Sequence, residues 1–154
     1  MLEHRIVRLP DLRESGDSGV AFDGLPPTYI PMRNAIFYAQ AASYALEKGI
    51  ARIVGGHNKD DTKVFRDARP DFFKRLERAF WASSPASKSR IRIMIPLGNR
   101  TKPQVVKLAY RLGVPLELTW SCQLEGATPC WRCDGCRNRI VSFERAGVRD
   151  PLRC

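Results

Sequence analysis

Four cysteines within fifteen residues constrain this chain more than any other feature: Cys122, Cys130, Cys133 and Cys136. Four thiolates can close a tetrahedral zinc shell, each sulfur about 2.3 Å from the ion. The two-residue gaps between the last three let neighbouring sulfurs curl round one ion. Asp134-Gly135 is expected to supply a tight turn and Pro129 to stiffen the approach. Arg132, Arg137 and Arg139 are placed to offset the charge of a four-thiolate site. A filled shell leaves no water to activate, so the expected site is structural and its binding energy becomes folding energy. An iron–sulfur reading stays open, because C-x2-C-x2-C also begins a ferredoxin run; the x3-Cys-Pro that completes that run is missing. Unmetallated thiols are the third reading. Cys154, the fifth cysteine, reads as a bystander at a frayed end.

A length of 154 residues suits a single domain, 1–154, with a buried core. No apolar run approaches the roughly 20 residues that cross a bilayer, and the first residues have no signal-peptide core. The expectation is a cytoplasmic protein, where clustered cysteines hold metal rather than disulfides. The formal charge is +10. Such an excess suits nucleotides, RNA or plain solvation, and the basic residues are spread along the chain.

Residues 4–9 read as a strand and 10–24 as a polar loop. The loop contains Ser15-Gly16-Asp17-Ser18-Gly19, which has the look of a phosphate loop. The sequence that follows it, through Pro26-Pro27, cannot be the helix that such a loop must open. A helix is predicted over 33–48, with Asn34 as a cap and Ile36, Phe37, Ala41, Tyr44 and Ala45 on one face. Gly49 stops it. A strand over 50–54, a polar loop over 57–69 and a helix opened by Pro70 follow, the helix burying Phe72, Phe73, Leu76, Ala79 and Phe80. Residues 83–89 read as a linker and 91–95 as a strand. Thr101 caps a helix to Leu112, with Val105, Leu108 and Leu112 inward, and a last helix covers 137–146. This β-α alternation predicts an α/β fold, a Rossmann-like parallel sheet with helices on both faces. Its ligands should gather at the carboxyl ends of the strands, near the segment before Arg33, the 57–69 loop and residues 97–102.

Several stretches carry a family likeness. Trp120-Ser121-Cys122, Pro129-Cys130, Cys133-Asp134 and Cys136-Arg137 form a cysteine segment over 118–139. Tyr29-Ile30-Pro31-Met32-Arg33-Asn34 matches V-P-x-R-N. Gly56-His57-Asn58-Lys59-Asp60-Asp61, with Phe65-Arg66-Asp67-Ala68-Arg69-Pro70-Asp71-Phe72, matches G-x-N-x-x-D…Y-P-D-C-R-P-E-F. Pro96-Leu97 with Thr101-Lys102 matches P-L…T-K, and Leu112-Gly113-Val114-Pro115 matches L-G-V-P. In this order, over about 28–148, the chain resembles the 7-cyano-7-deazaguanine (preQ0) synthases of the PP-loop ATP pyrophosphatase superfamily. The resemblance implies an adenine nucleotide alpha hydrolase-like core and one structural zinc. It also implies ATP-dependent conversion of 7-carboxy-7-deazaguanine and ammonia to the nitrile, on the route to queuosine and archaeosine in tRNA. The family's S-G-G-x-D-S loop and its flanking strand and helix have no counterpart in this sequence, so the fold is expected to be incomplete at its N-terminus. Arg66 stands where the family has Pro, and Ala68 where it has Cys.

Candidate residues follow, each beside a plainer role. Arg33 and Asn34 can steady a phosphate or an adenylate, or serve as surface charge and helix cap. His57, Asn58, Asp61, Asp67 and Arg69 can cradle the deazapurine, or form a solvated loop. Thr101 and Lys102 can meet phosphate at a helix N-terminus, or cap it. Trp120 reads as packing, and no catalytic residue is assigned. A three-strand parallel remnant has an open edge, which invites a separate PP-loop polypeptide or a second copy. ATP and Mg2+ are expected only with such a partner, and the isolated chain is expected to be inactive. Competing readings are a non-catalytic zinc module contacting RNA or protein, and a truncated or decayed synthase.

Overall fold

The computed structural model describes residues 6–7, 12, 22, 24–26, 29–84 and 90–153. The expected strand over 4–9 and the loop over 10–24 fall largely outside these residues, as do most of the 83–89 linker and Cys154. The chain divides into two compact units. One holds the residues up to Gly55 together with Asp61–Met94; the other holds Gly56–Asp60 and Ile95 onward.

The first unit contains α1 (Arg33–Glu47), β1 (Arg52–Val54), a one-turn α2 (Asp61–Val64), a 3-10 turn (Arg66–Ala68), α3 (Pro70–Ser83) and β2 (Arg92–Met94). The two strands pair in parallel, Ile53 opposite Ile93. The core is small: Ala42, Ala45 and Ile91 are buried, with Leu46, Ile53 and Phe80 packed against them. Side chains alternate along a strand, so Ile53 and Ile93 face this core while Val54 and Met94 face the other way. Those two are 66% and 46% exposed. Among the described residues of this unit, α1 and α3 therefore converge on the face of the sheet that carries Ile53.

Helix α1 turns a different stripe inward from the predicted one. Tyr38, Ala42 and Ala45 are buried, whereas Phe37 is 47% exposed. Tyr38 packs on Phe73 with ring centroids 5.0 Å apart, and the two alanines are small enough to admit Ile91. Asn34 does not cap the helix. Met32 occupies that position with left-handed backbone, and Asn34 Nδ2 donates to the Asp67 carbonyl at 3.2 Å. Gly49, at φ 66°, ends α1 as read from the sequence. Helix α3 buries Phe73 as expected, but also Glu77. Glu77 Oε1 accepts from the Ile93 N–H at 2.6 Å, and Oε2 lies 3.7 Å from Arg92. A carboxylate thus ties helix to strand where periodicity called only for apolar groups. The predicted 57–69 loop is partly regular, since it contains α2 and the 3-10 turn.

The second unit contains α4 (Lys102–Arg111), a 3-10 turn (Leu116–Leu118) and α5 (Asp134–Ala146). Helices α4 and α5 pack on each other. Thr101 precedes α4 in a capping box, its N–H held by Gln104 Oε1 at 2.9 Å. Leu112 closes that helix and is 70% exposed, so it does not point inward as predicted. Leu116 and Phe143 are buried. Helix α5 starts three residues before its predicted start, and Gly147 caps its end at φ 64°. No helix among the described residues is long and apolar enough to cross a membrane.

Candidate functional site

The four cysteines of the second unit come together. The sulfurs of Cys122, Cys130, Cys133 and Cys136 all lie within 4.8 Å of one another. A tetrahedral ion about 2.3 Å from each sulfur would hold the sulfurs about 3.8 Å apart. Cys130 and Cys136 Sγ are 3.9 Å apart. The donor set is soft and closed, and it can hold a metal ion.

Local backbone builds this cluster. Trp131 adopts φ 58°, a left-handed conformation that a residue with a side chain seldom takes. It bends the chain so that the Cys133 N–H meets Cys130 Sγ at 3.4 Å. Cys133 then caps α5, its sulfur accepting from the Cys136 N–H at 3.5 Å and from the Gln123 N–H at 3.5 Å. Cys122 Sγ accepts from the Leu124 and Cys130 amides, both at 3.4 Å. Asp134-Gly135 is therefore the first turn of a helix rather than a separate tight turn, because a sulfur occupies the cap position. Glycine is still required there: a Cβ on Gly135 would run into the Ser121 carbonyl oxygen.

The amides tune the thiols. Hydrogen bonds from the Arg132 and Cys133 backbone bring Cys130 down to about 6. The Gln123 and Cys136 amides lower Cys133. Burial pushes Cys136 up to about 12. Cys130 and Cys133 thus give up their protons more readily than an ordinary thiol and Cys136 less readily, and a metal ion would bind all of them as thiolates.

Arg139 does not neutralise the sulfurs. It is buried and forms a fork with Asp150, Nε to Oδ2 and Nη2 to Oδ1, both at 2.7 Å. Its remaining nitrogen, Nη1, donates to Thr119 Oγ1 at 2.8 Å and to the Thr119 carbonyl at 3.1 Å. Burial raises the Asp150 carboxyl, but Arg139 and the Leu152 amide outweigh it and hold the group below its usual range. This pair fastens the strand of chain that enters the cysteine segment to α5 and to the chain beyond it.

The other candidates fall into two sets. His57, Asn58, Thr101 and Lys102 belong to the second unit, and Arg33, Asn34, Asp61, Asp67 and Arg69 to the first. In the second unit Asn58 and Lys102 line one cavity of about 370 Å³, whose other walls include Val105, Leu116, Asn138 and Phe143. Asp60 was given no role in the sequence reading. Its Oδ2 accepts from the Lys102 N–H at 2.8 Å and so holds the first turn of α4, while Asn58 Oδ1 accepts from the Asp60 N–H at 2.8 Å. In the first unit Asn34 meets Asp67, and Arg69 Nε donates to the Thr62 carbonyl at 3.1 Å. Asp150 was missed, Gly135 was read only as part of a tight turn, and Asp60 only as part of the 56–61 motif. Trp120 is 49% exposed.

Fold and site define the class: an α/β protein carrying a four-cysteine cluster that can hold a metal ion. The family model of the queuosine biosynthesis protein QueC matches residues 8–147, and the chain belongs to the QueC family. The match starts about twenty residues before the likeness read from the sequence, so Ser15-Gly16-Asp17-Ser18-Gly19 lies inside it. The chain is similar to the 7-cyano-7-deazaguanine synthase of Oceanobacillus iheyensis, with 37% identity over 98% of this chain and 73% of the relative. It is 40% identical to the Nitratiruptor sp. synthase over 84% of this chain and 58% of that protein. The Thermoplasma volcanium synthase is 37% identical over 90% of this chain and 58% of its own length. The chain thus spans between about half and three quarters of these relatives.

Proposed function

We propose that this chain is the deazapurine-handling, zinc-bearing portion of a 7-cyano-7-deazaguanine synthase. The observation that carries this reading is the QueC match over residues 8–147, together with the four gathered sulfurs. Zinc suits a closed four-thiolate shell and has a structural role here, since no position is left for a substrate. In the proposed reaction ATP activates the carboxylate of 7-carboxy-7-deazaguanine, ammonia converts it to the amide, and a second activation removes water to leave the nitrile. The ATP grip comes from a PP-loop, carried on the same polypeptide or on one acting with this chain. Reconstitution tests the reading. Mass spectrometry of mixtures of 7-carboxy-7-deazaguanine, ammonia and ATP should find the nitrile when zinc-loaded chain and PP-loop polypeptide are both present, and none with either alone. Robust ATP turnover by the isolated chain, or no nitrile from the complete mixture, would overturn it.

A further inference from the structure

The first unit carries five exposed cations that neither the cysteine cluster nor the proposed reaction uses: Arg52, Lys74, Arg78, Arg90 and Arg92. Arg52 and Arg92 are partners in the parallel strand pair. Neighbouring strands lie about 4.8 Å apart, so two like charges stand side by side, an arrangement that costs free energy. The arginines on either side of Ile91 share one platform. Their guanidinium carbons lie 5.4 Å (Arg90) and 4.8 Å (Arg92) from the centre of the Trp81 ring. That ring is itself fixed, because Trp81 Nε1 donates to the Ile91 carbonyl at 2.8 Å. Helix α3 extends the row, with Arg78 and Lys74 one and two turns back from Trp81 along the same side. One carboxylate serves the group. Glu77 Oε2 lies 3.7 Å from Arg92, and its other oxygen is taken by the Ile93 N–H. Among the described residues the other four cations form no ion pair.

Scattered surface cations are ordinary and solvated. These are gathered and partly held in place: stacking on Trp81 restrains two guanidiniums and keeps their in-plane N–H groups for an anion. Four of the five are arginines, whose planar fork matches phosphate with paired hydrogen bonds. The cations run from α3 across β2 to β1, too widely for one small anion to meet them all, whereas a chain of phosphates can. Arg52 and Arg92 also open their strands, at the amino end of the sheet, while the ligands of an α/β sheet gather at the carboxyl end. We propose that this side of the first unit docks a nucleic-acid strand through its phosphates. The proposal goes beyond the synthase reading and does not rest on it.

Fluorescence anisotropy on the full 154-residue chain loaded with zinc tests it. The probe is a labelled, mixed-sequence RNA single strand of about 20 nucleotides, longer than one such patch spans. Its affinity should fall as salt rises, with a logarithmic slope of about −0.7 for each phosphate engaged. The double variant Arg52→Gln/Arg90→Gln should bind about tenfold more weakly or worse, and its slope should shrink by about 1.4, the share of two contacts. Arg145→Gln/Arg149→Gln removes two exposed arginines of the second unit, an equal change of charge, and should alter affinity by less than about threefold. Arg52→Gln should leave the melting temperature level or raise it, because it relieves repulsion between the strands. Equal losses from the two double variants would show attraction to net charge alone and overturn the patch. Binding that ignores salt would overturn it as well. No binding to the strand, with binding to phosphatidylserine vesicles that the first double variant loses, would assign the patch to a membrane instead and overturn the proposal.

Discussion

The two units are held together by different physics. The first rests on apolar packing: Ala42, Ala45 and Ile91 beneath a two-stranded sheet, with the buried Tyr38 and Phe73 rings packed on each other. The second gathers four sulfurs that can hold a metal ion and buries a guanidinium–carboxylate fork. Fully burying a large apolar side chain is worth about 1.5–3 kcal/mol, and the loss grades with the area uncovered. A metal clasp is all or none. The first unit should therefore soften gradually, and the second should fail abruptly.

Metal removal breaks the comparison most severely. Structural zinc in finger peptides contributes about 10–16 kcal/mol of apparent binding energy. Chelation, or Cys136→Ser, should melt the first turn of α5. Hydrogen exchange should show lost protection over 119–140 while the α1–α3 contacts of the first unit keep theirs. Equal loss in both units would erase the distinction drawn here.

The Arg139–Asp150 fork comes next. Removing one partner of a buried pair leaves an uncompensated charge and costs about 3–5 kcal/mol. Arg139→Leu should lower the denaturant midpoint of the zinc-loaded protein accordingly. The pH dependence has a definite sign. Asp150 has a depressed native pKa, so its contribution is complete above about 4, the unfolded carboxylate value, and is lost as pH falls through the lower native value. Acid titration of Asp150→Asn should lack that component.

Gly135→Ala should cost about 1–3 kcal/mol, the scale of overpacking, because the new methyl meets the Ser121 carbonyl and pushes Cys122 away from its partners. Zinc release to a chromogenic chelator should quicken in that variant. Unchanged release would mean that the backbone yields without disturbing the cluster. The smallest effect belongs to the first unit. Glu77→Leu leaves the Ile93 N–H without its acceptor, for about 1–3 kcal/mol, partly offset by added apolar burial. A thermal shift reaching that of Arg139→Leu would show the first unit to be as brittle as the second.

How much of this was readable in advance depends on the range of the interaction. Gly49 and Gly147 ended their helices as read, because a left-handed cap is a one-residue property. Thr101 with Gln104 is likewise local. The face of α1 was misjudged, since Tyr38 against Phe73 is a contact between distant helices and several apolar stripes compete along that segment. Leu112 was assigned inward by period alone, but its helix had already ended. The start of α5 was missed because a cysteine sulfur, not one of the usual oxygen caps, occupies the N-cap.

By itself the sequence determined which four cysteines gather, the alternation of strands and helices, and the family likeness, because each is written in residue type and spacing along a short stretch of chain. Only the tertiary structure decided that Arg139 serves Asp150 rather than the sulfurs, that Asp60 anchors α4, and that Tyr29, Phe65, Arg66 and Arg69 share one cavity. Those partners are chosen by folding across tens of residues, and a charge or a ring carries no mark in the sequence of the neighbour it will meet.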